Sequence, residues 1–562
     1  MPDADEYEFP VSPAQSRLLV LDRMNHGTAQ YNVYAAFAVR GGFDAEAFGC
    51  ALDAVVARHE ALRTVFRTAG AEQVQVVRAS ARAEVRSVSG VPAADVDRLL
   101  VVEAGRPFDV EVGPLVRCLL LGVEDGSHRV LLTTHHVVCD GWSLQIVLRE
   151  LSGFYRAAVT GTRYRPEDLP VQYPDYAVWQ RDRISAGGYA EQVAHWHALL
   201  HDAPKVLALP TDLPRVADRS VAGASEHFRL PAATLDRLDR VARSCGTTRF
   251  MTLFAAFSVF LGRLTHHDDV VVGVPTACRD RAELHGMVGM LANTLALRVD
   301  LSAEPSFREV LARVRRLVLD GQPHQDAPLE AVVEALAPDR ELSHDPVFQV
   351  MFAYDDETEL TLDLLGGQVE RIPLLLDIAK FDLMLYVDRA GADLAARFEY
   401  RTGLLAPATV RRWVGNFQTL LDGLLDRPYE PVGEVEVLPE AERREILHGW
   451  NATAVATPVR PVPDLIAERA AKRPDAVAVV CGEVVLTYRD LLTRADRLAA
   501  RLCAHGVGPD VAVGLCLPRG ADMAVAVLAV LRAGGAFVPL DSLHPTARIA
   551  VMVAYSGARL VL

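Results

Sequence analysis

Residues 133–143 read TTHHVVCDGWS, placing two imidazoles side by side and a carboxylate four residues beyond the second. Histidine titrates near neutral pH, so it is the side chain best suited to accept or orient a proton. The preceding run RVLL is strand-like, and neighbours on a strand point to opposite faces. His135 and His136 therefore cannot line one cavity together, which argues against a shared metal. A zinc site would also need further ligands, and no other His/Cys grouping lies nearby. The pair can instead divide labour, one ring facing a cleft and the other packed behind it. From the residues alone two readings stay open: one catalytic histidine with a structural neighbour, or two satisfied core histidines.

Asp140 precedes Gly141 at the strand end, ahead of an apolar helical pattern. It fits a base partner, a helix cap or one half of a buried ion pair. The patch VGVPTACRD supplies a cation, Arg279, for the last of these. Trp142 and Ser143 follow at once, and Ser143 fits a capping hydroxyl or a substrate contact. Cys139, between Val138 and Asp140, reads as a small apolar filler. The chain has no G-x-S-x-G elbow, H-E-x-x-H pair or phosphate-binding G-K-S/T loop.

These residues need elements to hold them. LVRCLLLGV (Leu115–Val123) and RVLLTTHHVV flank Asp125-Gly126, a tight-turn signal, and predict a hairpin. An apolar stripe with spacings of three and four predicts a helix over Ala45–Phe66. Gly161–Pro174 reads as a connection. Beyond it lie strands at EHFRL, DDVVVGVP (ending at Pro275), TLALRVDLS and PVFQVMFAY. Helices are predicted at PAATLDRLDRVARSCG, TTRFMTLFAAFSVFLGRLT and SFREVLARVRRLVLDG. DLMLYVDRAGADLAARFEY predicts a hairpin turning at Ala390–Ala392, and a last helix covers Ala408–Leu425. Mixed strands and helices in two successive portions imply two α/β or α+β lobes. LPEAERREILHGWNATAVATPVRPVP (Leu438–Pro463) has the profile of a linker, and a fresh α/β pattern starts after it.

Composition narrows the function classes. A length of 562 residues implies about three compact units. Hydrophobic residues make up 50% and charged residues 23%, which is too apolar for general disorder. With 58 Lys+Arg against 73 Asp+Glu, the net charge of −15 makes nucleic acid a poor partner. The eight cysteines form no C-x-x-C pair and read as reduced thiols. No signal peptide or spanning segment is predicted, so the expected location is cytoplasmic.

The ordered motifs resemble those of a condensation domain of non-ribosomal peptide synthetases, related to chloramphenicol acetyltransferase. VSPAQSRLLVL (Val11–Leu21), RHEALRTVF (Arg58–Phe66) and the HHxxxDG block appear in turn. YPDYAVWQR (Tyr173–Arg181), VGVPTACRDRAELHGMVGMLANTLALR (Val272–Arg298), HQDAPLE (His324–Glu330) and DRELSHDPVFQVMF (Asp339–Phe352) follow. After Asp464 the chain is similar to the start of an adenylation, or AMP-binding, domain, through VLTYRDLLTRADRLAARL and VLRAGGAFVPLD.

The resemblance implies a fold and a chemistry. Two acetyltransferase-like lobes (1–165 and 166–437) would form a V with an inter-lobe tunnel. A linker (438–463) and an incomplete α/β adenylation fragment (464–562) would follow. The reaction would be amide formation between an upstream carrier-bound acyl or peptidyl thioester and a downstream aminoacyl thioester. The first two motifs resemble the class that takes an L-configured donor residue. His136 would be catalytic, and His135 and Asp140 structural, with Arg279 as the salt-bridge partner of Asp140. Gly141 would let backbone approach the reacting centre and offer its amide to the thioester oxygen. Asn293 would order the tunnel floor. Cys278 stands where the family prefers glycine.

The resemblance further implies no bound cofactor or metal, with substrates delivered on phosphopantetheine arms. The partners would be peptidyl carrier proteins and other synthetase modules in antibiotic or other secondary metabolism. The family's phosphate loop and catalytic lysine lie beyond the motifs present, so no adenylation is expected. MPDADEYEF reads equally as an acidic docking edge or as a solvated tail. The alternatives are an acyltransferase using free coenzyme A, told apart by donor preference, and a non-catalytic docking module.

Overall fold

A computed structural model describes residues 6–24, 28–70, 72–216, 220–336, 344–355, 360–391, 393–457 and 459–562. Residues 1–5 of the acidic edge, 339–343 of the seventh motif and residue 392 of the predicted turn lie outside the described residues. The chain forms two compact units, Met1–Glu445 and Ile446–Leu562.

The first unit contains two large mixed sheets. Five strands form one, in the order Gly367–Ile372, Asn32–Gly41, His128–His135, Val116–Val123 and Glu84–Val91. All neighbours are antiparallel except the last pair. The predicted hairpin is its centre: Val116–Val123 and His128–His135 pair antiparallel across a turn in which the Asp125 carboxylate accepts the Ser127 amide. Both strands are almost wholly buried, as their near-continuous apolar runs require.

Six strands form the second sheet: Asn293–Asp300, Asp269–Thr276, Val350–Asp355, Leu383–Ala390, Asp393–Arg401 and Gly223–Leu230. Val350–Asp355 lies parallel to both neighbours. The apolar helix Arg249–Thr265 packs here, and Phe254, Phe257 and Phe260 meet Phe352, Phe398 and Phe417 in one aromatic core. That accounts for a helix too apolar for a surface. Among the described residues no single helix is long and apolar enough to cross a membrane.

Three differences from the sequence expectations matter. The helix begun at Ala45 stops at Arg58, and Thr64–Ala69 is a strand. His59 is extended there and buried against Glu150, while β-branched and aromatic residues 64–66 favour the pleated state. The strand Asp269–Thr276 runs one residue past Pro275, which pairs with Thr294. Gly367–Ile372, far along the chain, returns to the first sheet and pairs with Asn32–Gly41. Tyr173, Met287, Leu291 and Leu364 likewise pack into the core that carries the first sheet. The two sheets are thus joined by crossing chain as well as by contact.

The second unit runs helix Val462–Lys472, hairpin Val477–Cys481 and Val484–Thr487, and helix Tyr488–Ala504. Strand Ala512–Leu515, helix Ala521–Arg532 and strand Ala536–Pro539 follow. Its parallel strand pairs 512–515 with 536–539 and with 560–561, matching the α/β alternation read from sequence.

Candidate active site at the end of the central strand

The strand His128–His135 ends at His135, and the chain then turns into the helix Gly141–Thr160. Within that turn the two imidazoles part as the strand geometry requires. His135 is packed inside, edge-on to the Phe108 ring at 6.1 Å between centroids. Its Nδ1 accepts the Val137 amide at 3.1 Å, so its proton resides on Nε2, 3.8 Å from Asp22 Oδ1. His136 is the ring that keeps accessible surface. Its amide donates to the Tyr31 carbonyl at 2.8 Å. Its Nδ1 is buried without a protein partner, which leaves Nε2 as the nitrogen open to a ligand.

Burial pushes the His136 pKa down to about 3, helped by the positive charge of Lys380 and opposed by the Asp140 carboxylate. The ring is therefore neutral at physiological pH.

Asp140 combines two of its three sequence readings. As N-cap, its Oδ1 accepts the Ser143 amide at 2.7 Å. As an ion-pair member, it meets Arg279 Nη2 at 3.1 Å, with the residues only 1% and 5% exposed. Its Oδ2 also accepts the amides of Leu291 and Ala292 at 3.0 and 3.1 Å. Arg279 in turn donates to the carbonyls of Leu284 and Met287, both at 2.7 Å, and to Ser143 Oγ at 2.9 Å. Ser143 Oγ donates to the Gly289 carbonyl at 2.9 Å and accepts the Gly289 amide at 3.0 Å. A buried charge pair is tolerated only with this degree of hydrogen bonding.

The remaining predicted residues take distinct places. Trp142 is 42% exposed, lies 5.8 Å from the Arg279 guanidinium, and donates its indole N–H to the His285 carbonyl at 3.2 Å. Gly141 opens the helix, and a Cβ there would meet no protein atom within 4 Å. Packing does not demand glycine at 141; the space in front of it is open. Asn293 holds the 325–329 loop, donating to the carbonyls of Gln325 and Ala327 and accepting the Leu329 amide. Cys278 adopts φ +49°, a conformation natural to glycine. Burial pushes the Cys139 thiol up to about 12, so it is inert filler. Among the described residues no group of three or more His, Cys, Asp or Glu side chains could hold a metal ion.

Several contributors were not singled out from sequence. Gln15, in the first motif, donates to the Val137 carbonyl at 3.3 Å. Tyr173 hydroxyl lies 2.8 Å from Ser12 Oγ and donates to the Met290 carbonyl at 2.8 Å, tying three of the quoted motifs together. Their motifs were visible; their roles needed the third dimension. Lys380 had no signal at all.

Comparison with known proteins agrees with this geometry. The family model described as "Condensation domain" matches residues 5–447, and that described as "AMP-binding enzyme" matches 466–562. A linear gramicidin synthase polypeptide of Brevibacillus parabrevis is 38% identical over all of this chain, which spans 7% of that relative. A four-domain nonribosomal peptide synthetase solved with AMP and glycine superposes with a TM-score of 0.88 at 22% identity, over 99% of this chain and 43% of the other. The X-domain from teicoplanin biosynthesis gives 0.70 at 26% identity, over 76% and 97%. This chain belongs to the condensation-domain family of non-ribosomal peptide synthetases, with the opening part of an AMP-binding domain after it.

Proposed function

We propose that this chain forms an amide bond between an upstream carrier-bound acyl or peptidyl thioester and the amine of a downstream carrier-bound aminoacyl thioester. In this reading residues 1–165 and 166–437 are the two lobes of the condensation domain, and 438–463 link them to the adenylation fragment. The two phosphopantetheine arms bring their thioesters to His136 through a tunnel between the lobes. The donor residue is L-configured, as the first two motifs imply.

The observation that carries the reading is the state of His136. It is neutral, it has one buried and one accessible nitrogen, and its backbone is fastened to Tyr31. A neutral imidazole accepts an N–H hydrogen bond and so aims the amine lone pair at the thioester carbon. The C–N bond forms, the C–S bond breaks, and the amine proton passes by way of the ring to the departing thiolate. Burial disfavours a long-lived imidazolium, so orientation outweighs full proton abstraction. Holding the two substrates together supplies much of the acceleration, about 7–11 kcal/mol in well-oriented systems. Asp140, Arg279, Ser143 and Asn293 position the turn and its facing loops without touching substrate.

The test is reconstitution with two loaded carrier proteins, comparing the native chain with His136→Ala. Amide product from the native chain and its loss in the variant are expected. No product from the native chain, or equal product from both, refutes the reading. Preference for a free coenzyme A donor over the loaded carrier would replace it with an acyltransferase.

A further inference from the structure

Lys380 stands in the segment that leads into the strand Leu383–Ala390. Its backbone is held from several sides. The Lys380 amide donates to Glu399 Oε1 at 3.4 Å, and Arg401 Nη2 donates to the Lys380 carbonyl at 2.8 Å. The Ala379 amide donates to the Val221 carbonyl, and a Cβ on Gly223 would fall 2.4 Å from that amide nitrogen. Gln30 Nε2 donates to the Ala379 carbonyl, which links this segment to the turn that carries Tyr31. The Lys380 ammonium lies 5.9 Å from the centroid of the Tyr31 ring. Tyr31 is the residue whose carbonyl receives the His136 amide.

The ammonium is poorly neutralised. Among the described residues it has neither a hydrogen bond nor a carboxylate within 4 Å; Glu399 acts on it only at a distance. Burial dominates the electrostatics of both Lys380 and His136, yet each retains accessible surface. Each side chain therefore meets open space, and Tyr31 neighbours both. A cation facing such a space without a counter-charge is costly unless an electron-rich ligand comes to it.

Resting on the reading above, we propose that Lys380 is an oxyanion-stabilising residue of the condensation site, receiving the negative charge that develops on the donor carbonyl oxygen. When the amine nitrogen bonds to the thioester carbon, the carbonyl π pair moves onto oxygen. When the tetrahedral intermediate collapses, that pair re-forms C=O and the C–S pair leaves as thiolate, which takes the amine proton. An ammonium at the oxygen favours the intermediate over the ground-state carbonyl. The phosphate of the arm is not the anion in question, since it lies at the opposite end of the arm from the thioester. The charge also keeps the neighbouring imidazole unprotonated, as the amine acceptor must be.

The experiment uses the full chain with two loaded carriers in single turnover, for Lys380→Met, Lys380→Gln and Lys380→Arg. Loss of one oxyanion donor lowers the chemical step by about 100- to 1000-fold. The Met and Gln variants should show that loss at unchanged half-saturating carrier concentration and with native melting behaviour. The Arg variant should stay within about tenfold. Two features of the pH profile separate this role from a structural one. Burial lowers the Lys380 pKa, so the native rate should fall on the alkaline side below the ordinary lysine value as the ammonium is lost. The Arg variant should lack that limb. In the Met variant the acid limb should move to higher pH, because the charge that depresses His136 is gone. Of the groups near the ammonium, Tyr31 is pushed up to about 12 by burial. Burial raises the Glu399 pKa, opposed by the charges of Lys380 and Arg397.

If the Met and Gln variants keep rates within about threefold of native while His136→Ala is inactive, the inference falls and the condensation reading stands. A loss confined to carrier saturation, or an unmoved pH profile, also overturns it. An inactive native chain would overturn the condensation reading itself.

Discussion

Replacing Asp140 with Asn isolates the charge at the centre of the site, because the side chain keeps its shape. One oxygen remains to cap the Ser143 amide. The new amide nitrogen would face the N–H groups of Leu291 and Ala292, donor against donor. Arg279 would keep its two carbonyls and the Ser143 hydroxyl but lose the anion it meets. Removing one partner of a buried pair costs about 3–5 kcal/mol. The first unit runs from Met1 to Glu445. At about 2.1 cal/mol/K per residue its unfolding entropy is near 0.9 kcal/mol/K, so Tm should fall by about 3–5 °C. Calorimetry on the full chain reads this directly, with urea unfolding as a second measure. The double variant Asp140→Asn/Arg279→Met should cost at least about 1 kcal/mol less than the sum of the singles. A single-variant loss below about 1 kcal/mol, or additive singles, would refute the argument that this pair holds the turn.

A depressed His136 pKa makes the unfolded chain bind the extra proton between about pH 6.5 and 3. Stability should therefore fall as pH drops through that window, by at most about 1.4 kcal/mol per pH unit from this group, and His136→Phe should flatten the slope in acid unfolding curves. Glu150 is pushed up by burial but held below its ordinary value by the His59 hydrogen bond and the charges of His59 and Arg58. Its contribution is present above about pH 4.5 and lost as pH falls through the lowered value. Glu150→Gln should cost about 2–4 kcal/mol at pH 7 and little at pH 3, read by melting at both. Gly289→Ala would drive its Cβ to 2.0 Å from the Tyr173 ring and should cost at least about 2 kcal/mol. Gly141→Ala meets open space and should leave stability within about 0.5 kcal/mol of native while slowing condensation, if substrate approaches there as the proposed function requires.

Much of the fold was legible because its signals are local. The Asp125-Gly126 turn between two apolar runs, the two long apolar helices and the α/β alternation after Pro463 need no distant information. The helix from Ala45 overshot because its apolar spacing continues into Thr64-Val65-Phe66, where β-branched and aromatic residues and a buried His59 decide the state instead. The return of Gly367–Ile372 to the first sheet was not legible, since GQVERI shows a strand but not its partner. At the site, types and spacing singled out His135, His136 and Asp140, and strand geometry separated the two rings. The Arg279 contact came from the family resemblance, since 139 residues separate it from Asp140. Lys380 lay hidden because an isolated lysine beside an apolar strand is ordinary in sequence; only its missing counter-charge marks it.

A buried Asp–Arg pair is weak evidence for stability, since well-packed apolar residues often serve as well. What the pair supplies here is direction. Asp140 receives Arg279 and three backbone amides that come from the start of one helix and from residues 291–292. Arg279 reaches the carbonyls of residues 284 and 287. Apolar packing could fill the same volume but would not set the rotation of the turn between His135 and Gly141. That rotation decides which nitrogen of His136 faces open space, and in the proposed condensation, which relies on proximity, a misplacement of about 1 Å can cost a hundredfold. Gln15 on the Val137 carbonyl and the Ser12–Tyr173–Met290 relay constrain the same turn from other sides. The family motifs thus converge on one short segment of backbone, and in the condensation reading proposed above their part is to hold a single neutral imidazole still.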